Sequence, residues 1–338
     1  MSAAGSIFGL AYGDATGAHT EFMDLKRILK ATRGRPQLLG VPRDGLVTDD
    51  TQMGMYVGEA LLQTVENAGA DEINYDAAER PLVDAFLDWY YDPDNNYTRA
   101  PGGTCLKACG RLAKHAPWWE ATDPKSKGCG ANMRVTMVGL ANGLTQAERS
   151  GFAQLQSAMT HAHPTALAAA DATQQAVWLL NNGTHPDDLL DALLDYVDQM
   201  AGTYPTEWLG ELYTWTNDHT ELTYARRGWL EVQARLLDVV NAMYQPVYKG
   251  SFDPCKLTGA GWTAETCLST ALHCFLLYPK NGQLAIARAA ATSGDSDSIA
   301  AITGALAGAW LGEDGFPSHW ADRIEYAPRL RKLADALS

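Results

Sequence analysis

The sequence predicts an all-α protein, on three observations. Val/Ile-rich alternating runs, the mark of half-buried strands, are nearly absent. Apolar residues recur instead at helical spacing, as Met53, Met55, Tyr56, Ala60, Leu61 and Leu62 do between Gln52 and Val65. Glycine supplies the third: Gly5, Gly9, Gly13 and Gly17 stand four apart, and Gly304, Gly308 and Gly312 repeat the device near the C-terminus. Glycine at that period smooths one helix face, so that another helix can approach closely.

Composition narrows the functional classes. At 338 residues, length alone predicts about two domains, and 46% hydrophobic residues suffice for a large core. The net charge of −14 and the pI of about 4.9 argue against a general nucleic-acid or membrane-surface binder, because phosphate surfaces reward clustered Lys and Arg. An anionic ligand would therefore need cations to help hold it. Cys105, Cys109, Cys129, Cys255, Cys267 and Cys274 form neither CxxC pairs nor a dense disulfide framework, so a reduced cytoplasm is expected. The run Met1 to Asp14 lacks a basic n-region and a long apolar core, so no signal peptide is expected. No stretch reaches about 18 consecutive apolar residues, so no membrane span is expected.

Taken in order, the first helix is expected through Gly5 to Phe22, with Asp14 and Glu21 about two turns apart on nearly the same side. Two surface carboxylates and a site beside a buried glycine face both fit that pattern. Residues 24–47, basic and punctuated by Pro and Gly, suit a loop or a short helix followed by a loop. Thr48-Asp49-Asp50-Thr51 opens the amphipathic helix that follows. Capping needs one such residue and here there are four, so capping alone is insufficient. A helix from Asp71 to Tyr91 ends at Asp92-Pro93, and Pro101-Gly102-Gly103-Thr104 precedes one through Cys105 and Cys109. Those two thiols have no partner that completes a zinc site and are read as packing residues.

Gly128-Cys129-Gly130-Ala131-Asn132-Met133-Arg134 is a glycine-rich turn, expected to lead into an apolar helix through Val135, Met137, Val138 and Leu140. Such a turn offers N–H groups to a diphosphate or carboxylate, although the pattern also suits a plain turn and matches neither the Walker nor the Rossmann fingerprint. Nothing beside Cys129 would depress its pKa for thiol chemistry. Thr160 to Thr165 caps a helix over Ala166 to Leu180, with Pro164 in the tolerated first turn. His161 and His163 there are either structural or ligand-facing.

From Gly202 to Lys256 the chain is rich in aromatics, Tyr204, Trp208, Tyr213, Trp215, Tyr224, Trp229, Tyr244 and Tyr248, over two helices and a long loop. Core packing and a protein-docking surface are the two readings. Gly259 to Thr266 then precedes a helix from Cys267 to Leu277, and another from Leu284 to Ala291 leads to Ser293-Gly294-Asp295-Ser296-Asp297-Ser298. That run sets two carboxylates and a hydroxyl at i, i+2 and i+3 where a loop enters an apolar helix. Hard oxygens suit a hard divalent cation, and joined to the Thr48 to Thr51 cluster they would make a two-metal site. The alternative is two unrelated helix caps.

In their order and separation these pieces resemble the ADP-ribosylglycohydrolase family, which includes the dinitrogenase reductase activating glycohydrolase and the eukaryotic ADP-ribosylhydrolases. The resemblance runs from Gly5 to Gly312 through Gly13-Asp14-Ala15-Thr16-Gly17 with Glu21, Thr48-Asp49-Asp50-Thr51, Gly128 to Arg134, His161-Ala162-His163-Pro164, Gly261-Trp262 and Ser293 to Ser298. It implies one compact all-α orthogonal bundle over residues 1–338, against the two domains suggested by length. It also implies that Thr48, Asp49, Asp50, Asp295, Asp297 and Ser298 hold two divalent cations, Mg2+ or Mn2+. Glu21 matches an acid that approaches metals and substrate in some members. Ser296 and Ser298 replace the usual threonines, for which looser packing around the metal is expected rather than its loss.

The implied reaction is hydrolysis of ADP-ribose from modified protein side chains through an oxocarbenium-like state, with arginine the leading linkage. Serine-linked ADP-ribose, O-acetyl-ADP-ribose and poly(ADP-ribose) stand as alternatives. Gly128, Cys129, Gly130 and Asn132 would serve the diphosphate, His161 or His163 the ribose-phosphate end, and Asp50 or Glu21 the attacking water's proton. A different class of function is also weighed: an immunity or binding protein that recognises ADP-ribosylated protein or an ADP-ribosyltransferase toxin without needing turnover.

Overall fold

The computed structural model describes residues 3–216, 218–245 and 252–338. Met1, Ser2 and Tyr248, on which parts of the N-terminal and aromatic-segment expectations fall, lie outside the described residues. The chain is all-α, with its long helices at Ala3–Gly17, Asp49–Ala68, Tyr75–Tyr91, Gln146–Ala158, Pro164–Asn181, Leu189–Met200, Glu221–Met243, Ala264–Leu277 and Ser296–Leu311. Among the described residues, extended pairing is confined to two isolated bridges, Asp123 with His161 and Gly128 with Thr263. One cluster of buried apolar side chains runs from Ala3 to Leu337. No helix among the described residues is long and apolar enough to cross a membrane.

The glycine stripes do what their spacing predicts, and they do it to each other. Ala3–Gly17 and Ser296–Leu311 lie antiparallel, with Gly5 against Gly308, Gly9 against Gly304 and Gly13 against Ala300. A Cβ on Gly9 would fall 2.1 Å from the Gly304 carbonyl oxygen, and one on Gly304 would fall 1.9 Å from that of Gly9. Backbone meets backbone, so any side chain at these positions would force the helices apart. Ser6 Oγ donates to the Ala305 carbonyl at 2.9 Å and Ser296 Oγ to that of Gly17 at 2.9 Å. This register fixes the end of the first helix beside the start of Ser296–Leu311, and so sets the turn carrying Glu21 against Asp297.

Local departures from expectation have identifiable causes. The first helix ends at Gly17, so Glu21 lies in the following turn rather than two helical turns from Asp14 on one face. The helix expected from Asp71 starts at Tyr75, because the Asn74 side chain accepts the Ala77 N–H at 3.1 Å and caps it there. The segment after Gly128 forms two 3₁₀ turns, Cys129–Ala131 and Thr136–Leu140, instead of an α-helix. It is a buried connector pressed on Pro164–Asn181, where a Cβ on Gly139 would fall 2.2 Å from the Gln174 carbonyl oxygen. The short helix expected within 24–47 forms at Leu25–Ala31. Of the aromatic segment, Trp208, Tyr224 and Trp229 are core residues, whereas Trp215 and Tyr244 are exposed.

The approach to Thr48 is anchored from the far end of the chain. Arg99 donates to both carboxylate oxygens of Glu325 at 2.7 Å and to the Val47 carbonyl at 2.7 Å. Glu325 in turn accepts the Val47 N–H at 3.2 Å. Both side chains are largely withdrawn from water, so this bidentate pair holds one geometry.

Candidate active site

Three helix starts and several loops converge on a cleft of about 350 Å³. The turn after the first helix contributes Glu21, the start of Asp49–Ala68 gives Asp49 and Asp50, and the start of Ser296–Leu311 gives Asp295, Asp297 and Ser298. Gly128, Cys129, Gly130 and His161 complete the predicted residues that line it. Carboxylate oxygens of Glu21, Asp295 and Asp297 lie within 4.8 Å of one another. The two oxygen clusters, some 250 residues apart in the sequence, thus meet in one hollow.

Each cluster is held from behind. Asp14 is fully buried and accepts from Thr48 N, Thr48 Oγ1 at 2.8 Å, Thr51 N at 3.1 Å and Thr51 Oγ1 at 2.5 Å. It organises the Asp49–Asp50 turn and does not line the cleft. Behind the second cluster, the Ser293 hydroxyl donates to Asp253, and Asp295 N donates to the Ala260 carbonyl at 2.8 Å. Gly294 is required there, since a Cβ would lie 1.9 Å from the Ala260 oxygen. Gly261, at φ +82°, makes the neighbouring turn that presents Trp262.

The electrostatics are those of an uncompensated anionic pocket. Burial pushes Asp49, Asp50 and Asp295 well above the usual carboxylate range, aided by neighbouring carboxylates and, at Asp295, by Cys129 ahead of them. Glu21 is pushed up to about 9, first by burial and then by Asp297, and Asp14 to about 6 by burial against its hydrogen bonds. No lysine or arginine lines the cleft among the described residues. Asp50 Oδ1 is buried without a hydrogen-bond donor, while Asp49 Oδ2 accepts the Gly102 N–H at 3.0 Å. Buried like charges with an orphaned acceptor fit a hard cation, and the hydroxyl of Ser298 adds a further oxygen at the same place.

Three predicted site residues lie elsewhere. Thr48 does not line the cleft: its Oγ1 donates to Asp14 and accepts the Asp50 N–H, as a helix cap does. Asn132 is buried, and its Nδ2 donates to the Ala264 carbonyl at 3.1 Å. His163 caps Pro164–Asn181 and turns its Nε2 to Arg227 Nη1 at 3.0 Å, lining a different cavity with Lys125 and Asp218. Part of the expected N–H cradle is also spent internally. Cys129 N donates to the Trp262 carbonyl at 3.2 Å and Asn132 N to that of Cys129 at 2.6 Å.

His161 does face the cleft. Its Nδ1 pairs with Thr160 Oγ1 at 2.8 Å, and its Nε2 would stand 3.3 Å from a Cβ placed on Gly128. Burial, aided by Arg134, lowers its pKa to about 3, so the ring is neutral at neutral pH.

Sequence reasoning gave no site role to Gly102–Thr104, the entry of the helix Gly103–Leu112, or to Phe22. Both line the cleft, and Phe22 stacks on Trp262 at its mouth with ring centroids 5.6 Å apart. The Pro-Gly-Gly-Thr run was the available signal for that helix entry, and for Phe22 its position beside Glu21.

Comparison with known proteins identifies the family and the fold. A family model described as ADP-ribosylglycohydrolase matches residues 2–338. An ADP-ribosylarginine hydrolase Tri1 of Serratia proteamaculans is 24% identical, over 99% of this chain and 78% of its own length. An ADP-ribosylhydrolase ARH3 of Xenopus tropicalis is 27% identical, over 94% of this chain and 89% of its own. A solved structure titled ADP-ribosylglycohydrolase-related protein complex shares the fold with a TM-score of 0.66 and 22% identity, covering 99% of this chain and 96% of that one.

Proposed function

The chain belongs to the ADP-ribosylglycohydrolase family, and from that premise we propose that it is a metal-dependent hydrolase releasing ADP-ribose from modified protein side chains, arginine foremost. The observation that carries the reading is the convergence of Glu21, Asp49, Asp50, Asp295 and Asp297 on one cleft without a lysine or arginine among them. Asp49, Asp50, Asp295, Asp297 and the Ser298 hydroxyl would hold two divalent cations, Mg2+ or Mn2+. Bound there, such cations supply charge neutralisation, orientation of the ribose diol and easier ionisation of a water.

The chain's own residues do the rest. Gly128 and Gly130 keep the floor beside His161 free of side chains, so that a diphosphate can approach the backbone; a Cβ on Gly130 would meet Cys105 Sγ at 2.7 Å. His161, neutral and held by Thr160, presents Nε2 to the ribose-phosphate end. Glu21 is the least buried of the cleft acids and stands beside Asp295 and Asp297; once bound cations offset those neighbours and leave it ionised, it would take the proton of the attacking water while Asp50 stays with the cations. Phe22 and Trp262 flank the mouth, where the modified side chain would enter. The six cysteines are free thiols, in keeping with a reducing compartment such as the cytoplasm.

The arginine linkage is supported by the name of the Serratia relative. The test is release of free ADP-ribose, with Mg2+ present, from one protein modified on arginine and from another modified on serine. Faster release from arginine is expected. Release confined to serine would reassign the linkage and leave the hydrolase.

A further inference from the structure

A second cavity, of about 340 Å³, shares no lining residue with the acidic cleft. Trp118, Trp119, Trp208 and Trp215 wall it, together with Glu207 and Glu211. Trp208 is its buried floor, fixed against Gly151, where a Cβ would fall 2.2 Å from the indole. Trp118 is oriented by its Nε1–H, which donates to Tyr75 Oη at 3.1 Å, and stands edge-on to Trp119 with centroids 5.8 Å apart. Trp119 and Trp215 remain 40% and 51% exposed, more than core packing explains. Among the described residues neither Glu207 nor Glu211 joins an ion pair, and both are exposed.

We propose that this hollow binds the guanidinium of an unmodified arginine on the protein whose ADP-ribose the cleft removes. Indole faces attract cations, and a planar guanidinium stacks on them while its N–H fork pairs with carboxylates. A quaternary ammonium would use the rings but has no N–H to give Glu207 and Glu211; a lysine ammonium has N–H groups but no plane to lie on an indole and no fork to pair with a carboxylate, so rings and acids together favour guanidinium. A chain segment that passes from the wall of one cavity to the next, rather than an open channel, ties the occupant to the substrate. Trp215 also lines the adjoining cavity of Lys125, His163 and Arg227, and the chain from Lys125 runs directly to Gly128 in the cleft. The assignment to a substrate protein rests on the function proposed above; the binding chemistry of the hollow does not.

The test is calorimetric titration of the full chain, with Mg2+ present, using the tripeptide acetyl-Gly-Arg-Gly-amide and its glutamine analogue. Saturable binding of the arginine peptide is expected, with at least tenfold weaker binding of the glutamine peptide. Trp215→Ala, and Glu207→Gln with Glu211→Gln, should each weaken it at least fivefold. They should also raise KM for a modified protein without changing kcat, and leave hydrolysis of free ADP-ribosyl-arginine unaffected. Equal binding of the two peptides, or undiminished binding in the doubly substituted glutamate variant, would overturn the proposal. So would tighter binding of free argininamide than of the peptide. Absence of hydrolysis with these binding results intact would count against the cleft's reading and not against the arginine pocket.

Discussion

Asp171 and Asp50 are both buried carboxylates, at 0% and 2% exposure, yet they are built for opposite ends. Asp171 accepts from Ser150 Oγ at 2.5 Å, Gln154 Nε2 at 2.9 Å, Gln174 Nε2 at 2.9 Å and Tyr196 Oη at 2.7 Å. Its burial is offset by four donors, and it pins three helices into one polar knot. Asp50 has one long contact, Thr48 Oγ1 at 3.3 Å, and an Oδ1 with no donor, in a pocket of further acids. A carboxylate that the fold has satisfied is structural; one that the fold leaves unsatisfied is reserved for something that arrives.

The contrast breaks most visibly in activity. Asp295→Ala or Asp297→Ala should lower ADP-ribose release by more than about 100-fold with unchanged circular dichroism, since loss of even an outer partner of a metal costs about 10–100-fold. Asp171→Ala should do the reverse, keeping residual activity per folded molecule while lowering stability in urea by about 2 kcal/mol, because it strands buried donors.

A third effect is pH-dependent. Because His161 has a folded pKa of about 3 against an ordinary 6.5, the unfolded chain binds more protons between those values. Its contribution to stability is therefore present above pH 6.5 and lost as pH falls, by at most about 1.4 kcal/mol per pH unit. Urea melts at pH 7.5 and pH 5 should show wild type losing stability relative to His161→Gln. Parallel losses in the two would contradict a buried neutral ring. The smallest effect is expected from Asp50→Asn, which should raise stability in EDTA by about 1 kcal/mol by removing one like charge from the pocket. Mg2+ should raise the Tm of wild type more than that of this variant.

The helices and their closest contact were legible because glycine every fourth residue has few other uses: Gly9 and Gly304 meet at backbone distance. The two oxygen clusters were legible because Asp-Asp and Asp-x-Asp at helix starts exceed what capping requires. What the sequence hid depends on three-dimensional neighbours. Thr48 reads as a ligand beside Asp49, yet Asp14 claims its hydroxyl across 34 residues. His163 reads as the twin of His161, but the helix entry at Pro164 turns it toward Arg227. Asn132 and the helix expected after it were lost to a buried connector whose path is set by packing on Gln174. Phe22 carries no signal beyond its place beside Glu21, for its partner Trp262 is brought by the chain's far half.

The central claim is that the acids of the cleft serve cation-dependent release of ADP-ribose. The direct measurement is free ADP-ribose from an arginine-ADP-ribosylated protein, first with Mg2+, then after EDTA, then after Mg2+ or Mn2+ is restored. Release that EDTA abolishes and the cation returns is the predicted result. Undiminished release in EDTA would contradict it.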